Sequence, residues 1–234
     1  MLIPILASVL PAILWMILFY RSDRFAPEPM KLVARTFLVG AIVGAAMAFS
    51  LKELPFKMTF LTAAVFIAPV SEELAKFLCV RWTVYDNPEF NEPVDGMVYA
   101  TAAALGFASV ENILYVIGSW SGGGPEAGVL TLAGRSVLSV PGHALFSSFW
   151  GLALGWHKVR KTPRSAMTVF LALLGGMAVH GLFNYLVDAN LFGGLLFLLF
   201  MALAWRFLFI LIKRSLGYKV PAPSSEKSDD KGKE

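Results

Sequence analysis

The chain has 234 residues, of which 57% are hydrophobic and 15% charged. A soluble domain carries about half apolar and a quarter charged residues, so the expected solvent is the bilayer. The net charge of +4 comes from Lys and Arg near the ends of apolar stretches and in the C-terminal tail, which marks membrane topology and gives no basis for nucleic-acid binding; a single cysteine, Cys79, excludes an intrachain disulfide and a thiolate metal cluster.

A transmembrane helix needs roughly 20 mostly apolar residues. Stretches of that kind follow one another at 2–20, 32–51, 58–82, 96–118, 136–157, 166–187 and 191–212. They predict an all-α, polytopic transmembrane helical bundle of about seven spans over residues 1–213, leaving 214–234, rich in Lys, Asp, Ser and Pro, as a disordered cytoplasmic tail. The first stretch has no basic residue before it and meets Arg21 and Arg24 directly after, so it reads as an uncleaved span and not as a signal peptide. Connections rich in Lys and Arg stay in the cytoplasm. Arg21, Arg24 and Lys31 lie in the first, Arg81 in the third, and Lys158, Arg160, Lys161 and Arg164 in the fifth. The second has Lys52 and Lys57, the fourth only Arg135 at its edge, and the sixth nothing basic. This asymmetry predicts an N-terminus outside and a C-terminus in the cytoplasm of a multi-pass plasma-membrane protein. The glycines at 122–124 read as an exposed loop.

A charge near the centre of the membrane costs at least ~2.5 to 3.5 kcal/mol, so the misplaced polar residues carry the information. In the third span, Glu72 and Glu73 follow Pro69, and Lys76 lies four and three residues beyond them on the same helical face. One carboxylate can pair with the lysine; the other must be protonated or find another partner. The fourth span carries Phe107, Glu111 and Asn112, the fifth His143 after Pro141 and Gly142, and the sixth His180 and Asn184 one turn apart. His157, the third histidine, sits at a basic span end. Ser147, Gly151 and Gly155 recur every fourth residue after His143, and Gly176 lies four before His180, a spacing that lets helices approach closely. Alone, each histidine reads as a packed helix residue. Together, Glu and His on consecutive spans read as one polar pocket.

Cleaving a peptide bond inside lipid requires an activated water, a general base and donors for the developing oxyanion. Glu72 or Glu73 can act on the water, and His180, His143 and Asn184 can donate to the oxyanion or to the leaving amine; Glu111 completes the candidate catalytic set. Lys76 is the charge partner, with Asn112 and Asp95 as supporting candidates. A His-Glu-x-x-His helix and a Gly-x-Ser-x-Gly elbow are both missing from the sequence, and Asp95 and Asp188 lie near span ends, against an aspartyl dyad. No cofactor is required by the sequence. A zinc ion held by His143, His180 and a carboxylate from Glu72, Glu73 or Glu111 is compatible with it, and the residues do not distinguish a metal-held water from a glutamate-held one. Two rivals use the same residues: a proton-coupled transporter or channel with Glu and His as a relay, and a membrane scaffold or immunity protein that binds a partner helix.

An ordered series of motifs now stands out: Arg24-Phe25-Ala26-Pro27-Glu28-Pro29, Glu72-Glu73-Leu74-Ala75-Lys76, Glu92-Pro93-Val94-Asp95-Gly96, Gly106-Phe107 through Glu111-Asn112, His143, and His180 through Asn184. The series resembles the PrsW family of intramembrane proteases. More distantly it is similar to the CAAX-processing and bacteriocin-immunity-type membrane proteases, from whose pattern it departs at Lys76, which stands one residue early for an Arg, and at Glu111, which takes the place of a His. The resemblance implies proteolysis of a membrane-bound substrate, typically a single-pass anti-sigma factor, by an enzyme described both as glutamic-type and as a metalloprotease. One expectation runs against a shared pocket. At ~1.5 Å per residue, Glu72 lies roughly 20 Å below the outer end of its predicted span, but His143 and His180 only about 10 Å below theirs, and a break at Pro69, a tilt or a shifted span boundary is needed to close the gap.

Overall fold

The computed structural model describes residues 2–21, 27–50, 59–188 and 194–216. Residues 24–26 of the first motif, Lys52, Lys57 and most of the expected tail lie outside them. The described residues form helices and no strand: α1 (Leu2–Tyr20), α2 (Met30–Ser50), α3 (Phe60–Thr62), α4 (Ala68–Thr83), α5 (Pro93–Gly134), α6 (Val140–Arg160), α7 (Pro163–Asp188) and α8 (Leu195–Leu216). Two π-helical turns, Ala63–Ile67 and Arg135–Ser139, join α3 to α4 and α5 to α6.

Among the described residues, five helical runs are long and apolar enough to cross a membrane: Ile3–Tyr20, Met30–Ala48, Pro93–Arg160, Pro163–Val187 and Leu195–Leu216. The difference from about seven predicted spans has two physical causes. The expected fourth and fifth spans are two arms of one helical run that is bent at Gly124 and so counts once, and the expected third span carries Glu72, Glu73, Lys76 and Arg81 in α4, which lowers its hydropathy. The long run is not straight. Gly124 takes φ 80° and ψ −175° ahead of Pro125, a backbone that glycine alone adopts readily. Beyond it the chain doubles back: Thr131 Oγ1 donates to Ser119 Oγ at 2.9 Å, and Arg135 reaches Glu111 at 2.9 Å. The predicted loop at 122–124 is thus the bend of a helical hairpin.

The first arm of α5 is the centre of the molecule, and every residue from 93 to 109 is buried. Its sequence is rich in Ala and Gly because other helices lie directly on it. A Cβ at Gly96 would stand 2.1 Å from the Gly151 carbonyl oxygen, and one at Gly155 would stand 2.2 Å from the Pro93 carbonyl oxygen. The every-fourth-residue seam on α6 is therefore a backbone contact with α5. Gly106 meets α2 in the same way, 1.9 Å from the Phe37 carbonyl oxygen. A buried polar tie fixes the N-terminal end of α5: Asp95 Oδ2 accepts from the backbone N–H of Asn91 (2.7 Å) and Glu92 (2.6 Å), the Tyr99 hydroxyl donates to the Glu28 carboxylate, and Tyr20 Oη donates to the Glu28 backbone oxygen at 2.9 Å. Exposed Leu, Ile, Phe and Val side chains on α1, α2, α7 and α8 cover the outside, as a lipid-facing surface requires.

Candidate active site

Each of the two π-turns precedes a proline and a helix that carries site residues. In a π-turn the N–H bonds five residues back. Ala68 N–H accordingly donates to the Ala63 oxygen, and Val140 N–H to the Arg135 oxygen. Pro69 has no N–H, so the Ala64 carbonyl is left without a partner in its own helix. Asn184 Nδ2 of α7 supplies one at 2.8 Å. One turn away on α7, Gly181 lets the backbone of Val65 come close: a Cβ there would stand 2.4 Å from the Val65 oxygen. The His-Gly-x-x-Asn pattern of α7 is thereby the surface that fits the wound segment before Glu72.

This contact brings the acids and imidazoles together. Glu73 is fully buried, and its carboxylate is saturated. Oε1 accepts from Lys76 Nζ at 2.8 Å and His180 Nδ1 at 3.2 Å, and Oε2 accepts from Ser147 Oγ at 2.7 Å and Trp150 Nε1 at 2.9 Å. Glu72 differs. Its Oε2 is buried with no hydrogen-bond partner, and faces Lys76 Nζ at 3.5 Å, His143 Nδ1 at 3.9 Å and His180 Nε2 at 4.0 Å. Lys76 also donates to His143 Nδ1 at 2.9 Å and lies 4.6 Å from the Phe107 ring centroid.

The tautomers follow from these partners. An ammonium can only donate, so His143 Nδ1 is the accepting nitrogen and Nε2–H faces Glu111 Oε2 at 2.8 Å. His180 donates Nδ1–H to Glu73, which leaves the Nε2 lone pair toward Glu72. Each imidazole therefore has one nitrogen held by a carboxylate and the other on the Glu72 side, where His143 Nδ1 accepts from Lys76 and His180 Nε2 has no hydrogen bond among the described residues. The rings are packed at 5.1 Å, centroid to centroid, and Phe146 stacks on His180 at 4.8 Å. Glu111 is balanced by Arg135 (2.9 Å), whose Nε donates to Asn112 Oδ1 at 3.1 Å; Asn112 Nδ2 in turn donates to the Ser8 carbonyl of α1 at 2.7 Å.

A cavity of about 550 Å³ opens onto this cluster, with Glu72, Glu111, His143, His180, Asn184 and Arg135 among its lining residues. The predicted residues sort themselves around it. Glu72, Glu111, His143, His180 and Asn184 line the cavity, Glu73 and Lys76 are buried behind it, and Asn112 braces Arg135 against α1. Asp95 is elsewhere: sixteen residues before Glu111 on the same helix, roughly 24 Å along the axis, it caps α5. The amide of Asn184 lines the cavity and donates from Nδ2 to the Ala64 carbonyl, a packing contact that uses one of its two N–H bonds. The predicted mismatch in depth does not arise. The run that carries His143 continues past the expected boundary at Ser136 to Pro125, so the helix ends are not level.

Sequence reasoning missed Ser147, Trp150 and Arg135 as members of the site. Ser147 was visible as one member of a small-residue seam, and its hydroxyl also faces Glu73. Trp150 stands two turns after His143 on α6, a spacing that could have flagged it. Arg135 counted as a topology signal, whereas its side chain is only 15% exposed and bonded to Glu111.

The donor set can be tested against a metal ion. One donor atom each from Glu72, His143 and His180 lies within 4.8 Å of the others. One carboxylate oxygen without a partner, His180 Nε2 and, once Lys76 Nζ swings off it, His143 Nδ1 form with the adjoining cavity a donor set that fits a catalytic zinc site of two His and one Glu with an open position. The carboxylates of Glu73 and Glu111 behind the imidazoles are the usual outer partners of such ligands.

Comparison with known proteins gives the family. Residues 28–212 match the family described as PrsW family intramembrane metalloprotease. The chain is 32% identical over 223 residues to the Protease PrsW of Geobacillus kaustophilus, covering 92% of this chain and 93% of that protein. It is 32% identical over 213 residues to the Protease PrsW of Oceanobacillus iheyensis (89% and 94%) and 29% identical over 210 residues to that of Bacillus subtilis (86% and 90%). No solved structure matches the chain. Transporter and scaffold readings of the same residues give way to a protease, because the match runs through every element that builds the cavity: the chain belongs to the PrsW family of intramembrane proteases.

Proposed function

We propose that the enzyme hydrolyses a peptide bond of a membrane-bound protein at the Glu72–His143–His180 cluster, and that the substrate is a single-pass anti-sigma factor, as the family resemblance implies. The observation that carries the site assignment is Glu72 Oε2, a buried acceptor with no partner, facing His143 Nδ1 and His180 Nε2 of two imidazoles whose other nitrogens are held by Glu111 and Glu73. Leaving such an oxygen unsatisfied costs ~1 to 3 kcal/mol or more, a cost that a bound cation or a hydrolytic water would remove. The topology that suits this reading is about seven passes, with the N-terminus outside, a protease domain over residues 1–213 and the remaining tail in the cytoplasm.

In this mechanism Glu72, His143 and His180 would hold a divalent ion such as zinc, with Lys76 giving up its bond to His143 Nδ1. When bound, the ion would polarise the substrate carbonyl and lower the pKa of water so that hydroxide forms near neutral pH. Glu73 and Glu111 fix the orientation of the two imidazole rings, and Arg135 offsets the charge of Glu111. The attacking water adds its oxygen to the carbonyl carbon and loses a proton to a cavity carboxylate; that proton returns to the leaving amine as the C–N bond breaks. Lys76, with Nζ 3.5 Å from Glu72, is placed to offset negative charge as the oxyanion develops. A second reading rests on the same lysine. Its Nζ lies 2.9 Å from His143 Nδ1, so an organic cation already serves the cluster, and Glu72 alone would then activate the water.

The test is cleavage of a single-pass anti-sigma substrate by the detergent-solubilised full chain, with metal content measured on the same sample. Glu72→Gln, His143→Ala and His180→Ala are each expected to abolish cleavage. Activity that survives both Glu72→Gln and His180→Ala would overturn the site. A metal-free enzyme that ignores chelators selects the glutamate-only chemistry.

A further inference from the structure

A second, larger cavity lies away from the active site. It is a groove of about 880 Å³ between α6, α7 and α8. Its walls are apolar through most of their length, with Phe149, Leu171, Val179, Phe200, Leu203 and Phe207 among the lining side chains. On α7 the lining runs from Arg164 to Val179, and on α8 from Phe200 to Ser215, a rise of roughly 22 Å on each helix. One leaflet of hydrocarbon is about 15 Å deep, so the groove accommodates an acyl chain with length left for a headgroup.

One end has a different chemistry. Arg160, Arg164 and Arg214 line it, and so do the hydroxyl-bearing Thr162, Ser165 and Thr168. No carboxylate belongs to the lining, and among the described residues none of these arginines has an acidic partner. The Arg160 guanidinium stands 4.2 Å from the Trp156 ring centroid, and Trp156 Nε1 donates to Ser215 Oγ at 3.2 Å. An aromatic ring with its N–H at this junction is typical of the level where acyl chains meet headgroups. Arginine is suited to phosphate because its planar donors engage two oxygens together. A helix of a substrate or of a second copy would need an acidic end to satisfy three guanidiniums; a phospholipid carries an anion and an apolar tail in one molecule.

We infer that the groove between α6, α7 and α8 binds one anionic phospholipid, its acyl chain lying along α7 and α8 and its phosphate held by Arg160, Arg164 and Arg214. Basic pockets between transmembrane helices hold anionic headgroups in this way. The glycine at 175 gives a means to separate tail from head. Gly175 lines the groove and a Cβ there meets nothing within 4 Å, so Gly175→Leu fills the acyl path without disturbing a packed contact.

Native mass spectrometry of the full chain in a neutral detergent tests this with two lipids that share acyl chains, dioleoylphosphatidylglycerol and dioleoylphosphatidylcholine. The wild type is expected to retain one phosphatidylglycerol per chain at a concentration on the order of tenfold below that needed for phosphatidylcholine. The preference disappears in the triple variant Arg160→Gln, Arg164→Gln, Arg214→Gln. Gly175→Leu weakens both lipids equally, and free glycerol phosphate does not compete. Equal retention of the two lipids by the wild type, an unchanged preference in the triple variant, or full competition by glycerol phosphate would each overturn the proposal. So would a lipid-free dimer that Gly175→Leu dissociates, because the groove would then seat a second copy. Unchanged elution volume of both variants shows that the fold is intact.

Discussion

Glu72 and Glu73 are covalent neighbours in opposite situations: the Glu73 carboxylate accepts four hydrogen bonds, while Glu72 Oε2 is buried and accepts none. Successive side chains on a helix point about 100° apart. Glu73 is thereby directed into α6, where Ser147 and Trp150 wait for it, and Glu72 into the cavity. The neighbouring acids thus differ, one holding helices and imidazole in place and the other turned to the cavity without a hydrogen bond.

That division predicts different failures. Glu73→Gln introduces an amide that cannot accept from four donors and leaves Lys76 without its nearest carboxylate, so it is expected to cost ~3 to 5 kcal/mol and lower the thermal transition in detergent. Glu72→Gln removes no hydrogen bond made in the resting protein, and the transition should hardly move. Cleavage should nevertheless fall by about 10²-fold or more. A thermal scan and a cleavage assay on the two variants check this; equal destabilisation by both would contradict the assignment.

Much of this was readable before any coordinates. The apolar stretches have the length of spans, and charges inside them are costly, so Glu72, Glu73, Lys76, Glu111, His143 and His180 stood out. The Lys76 pairing followed from helical spacing alone. What could not be read is direction. Nothing in two adjacent glutamates says which one faces α6, and Trp150 looks like any aromatic core residue until Glu73 Oε2 is found 2.9 Å from its N–H. Helix ends were hidden for a related reason. Residues 125–134 continue a helix through the π-turn at Arg135–Ser139, and periodicity carries no mark of where such a helix would leave the membrane.

Removing the outer carboxylate of one imidazole should loosen a bound metal without removing a ligand. Glu111→Gln keeps the size of the side chain but weakens its hold on His143 Nε2, now at 2.8 Å. Metal affinity is expected to drop by about 10- to 100-fold, measured by competition with a chelator of known strength. Cleavage should recover at high zinc, whereas His143→Ala should not recover at any concentration. An unchanged chelator titration for Glu111→Gln would remove the outer-partner role of Glu111.

Trp150→Phe isolates a single hydrogen bond behind the site. The ring still fills the space beside Phe77, 5.5 Å away, but Glu73 Oε2 keeps only Ser147 as a donor. The expected cost is ~1 to 3 kcal/mol, read as a lower thermal transition. Ser147→Ala in the same background should cost more than it does alone, because the two donors share one oxygen. Strict additivity would mean that the two do not act on Glu73 together.

Gly181→Ala tests whether the contact between α7 and the turn before Glu72 sets catalytic geometry. The added Cβ would stand 2.4 Å from the Val65 oxygen, a backbone atom that cannot rotate away, so α7 must move off the wound segment. His180 moves with it, away from Glu72. Misplacement by about 1 Å can cost on the order of 10²-fold in rate, and the bond from Asn184 to Ala64 should lengthen as well. Gly175→Ala is the control on the same helix, since its Cβ meets nothing within 4 Å; with the helix preference of alanine it should keep activity and gain ~0.5 to 1 kcal/mol. If Gly181→Ala cleaves at the wild-type rate, α7 tolerates displacement and His180 does not need the placement seen here.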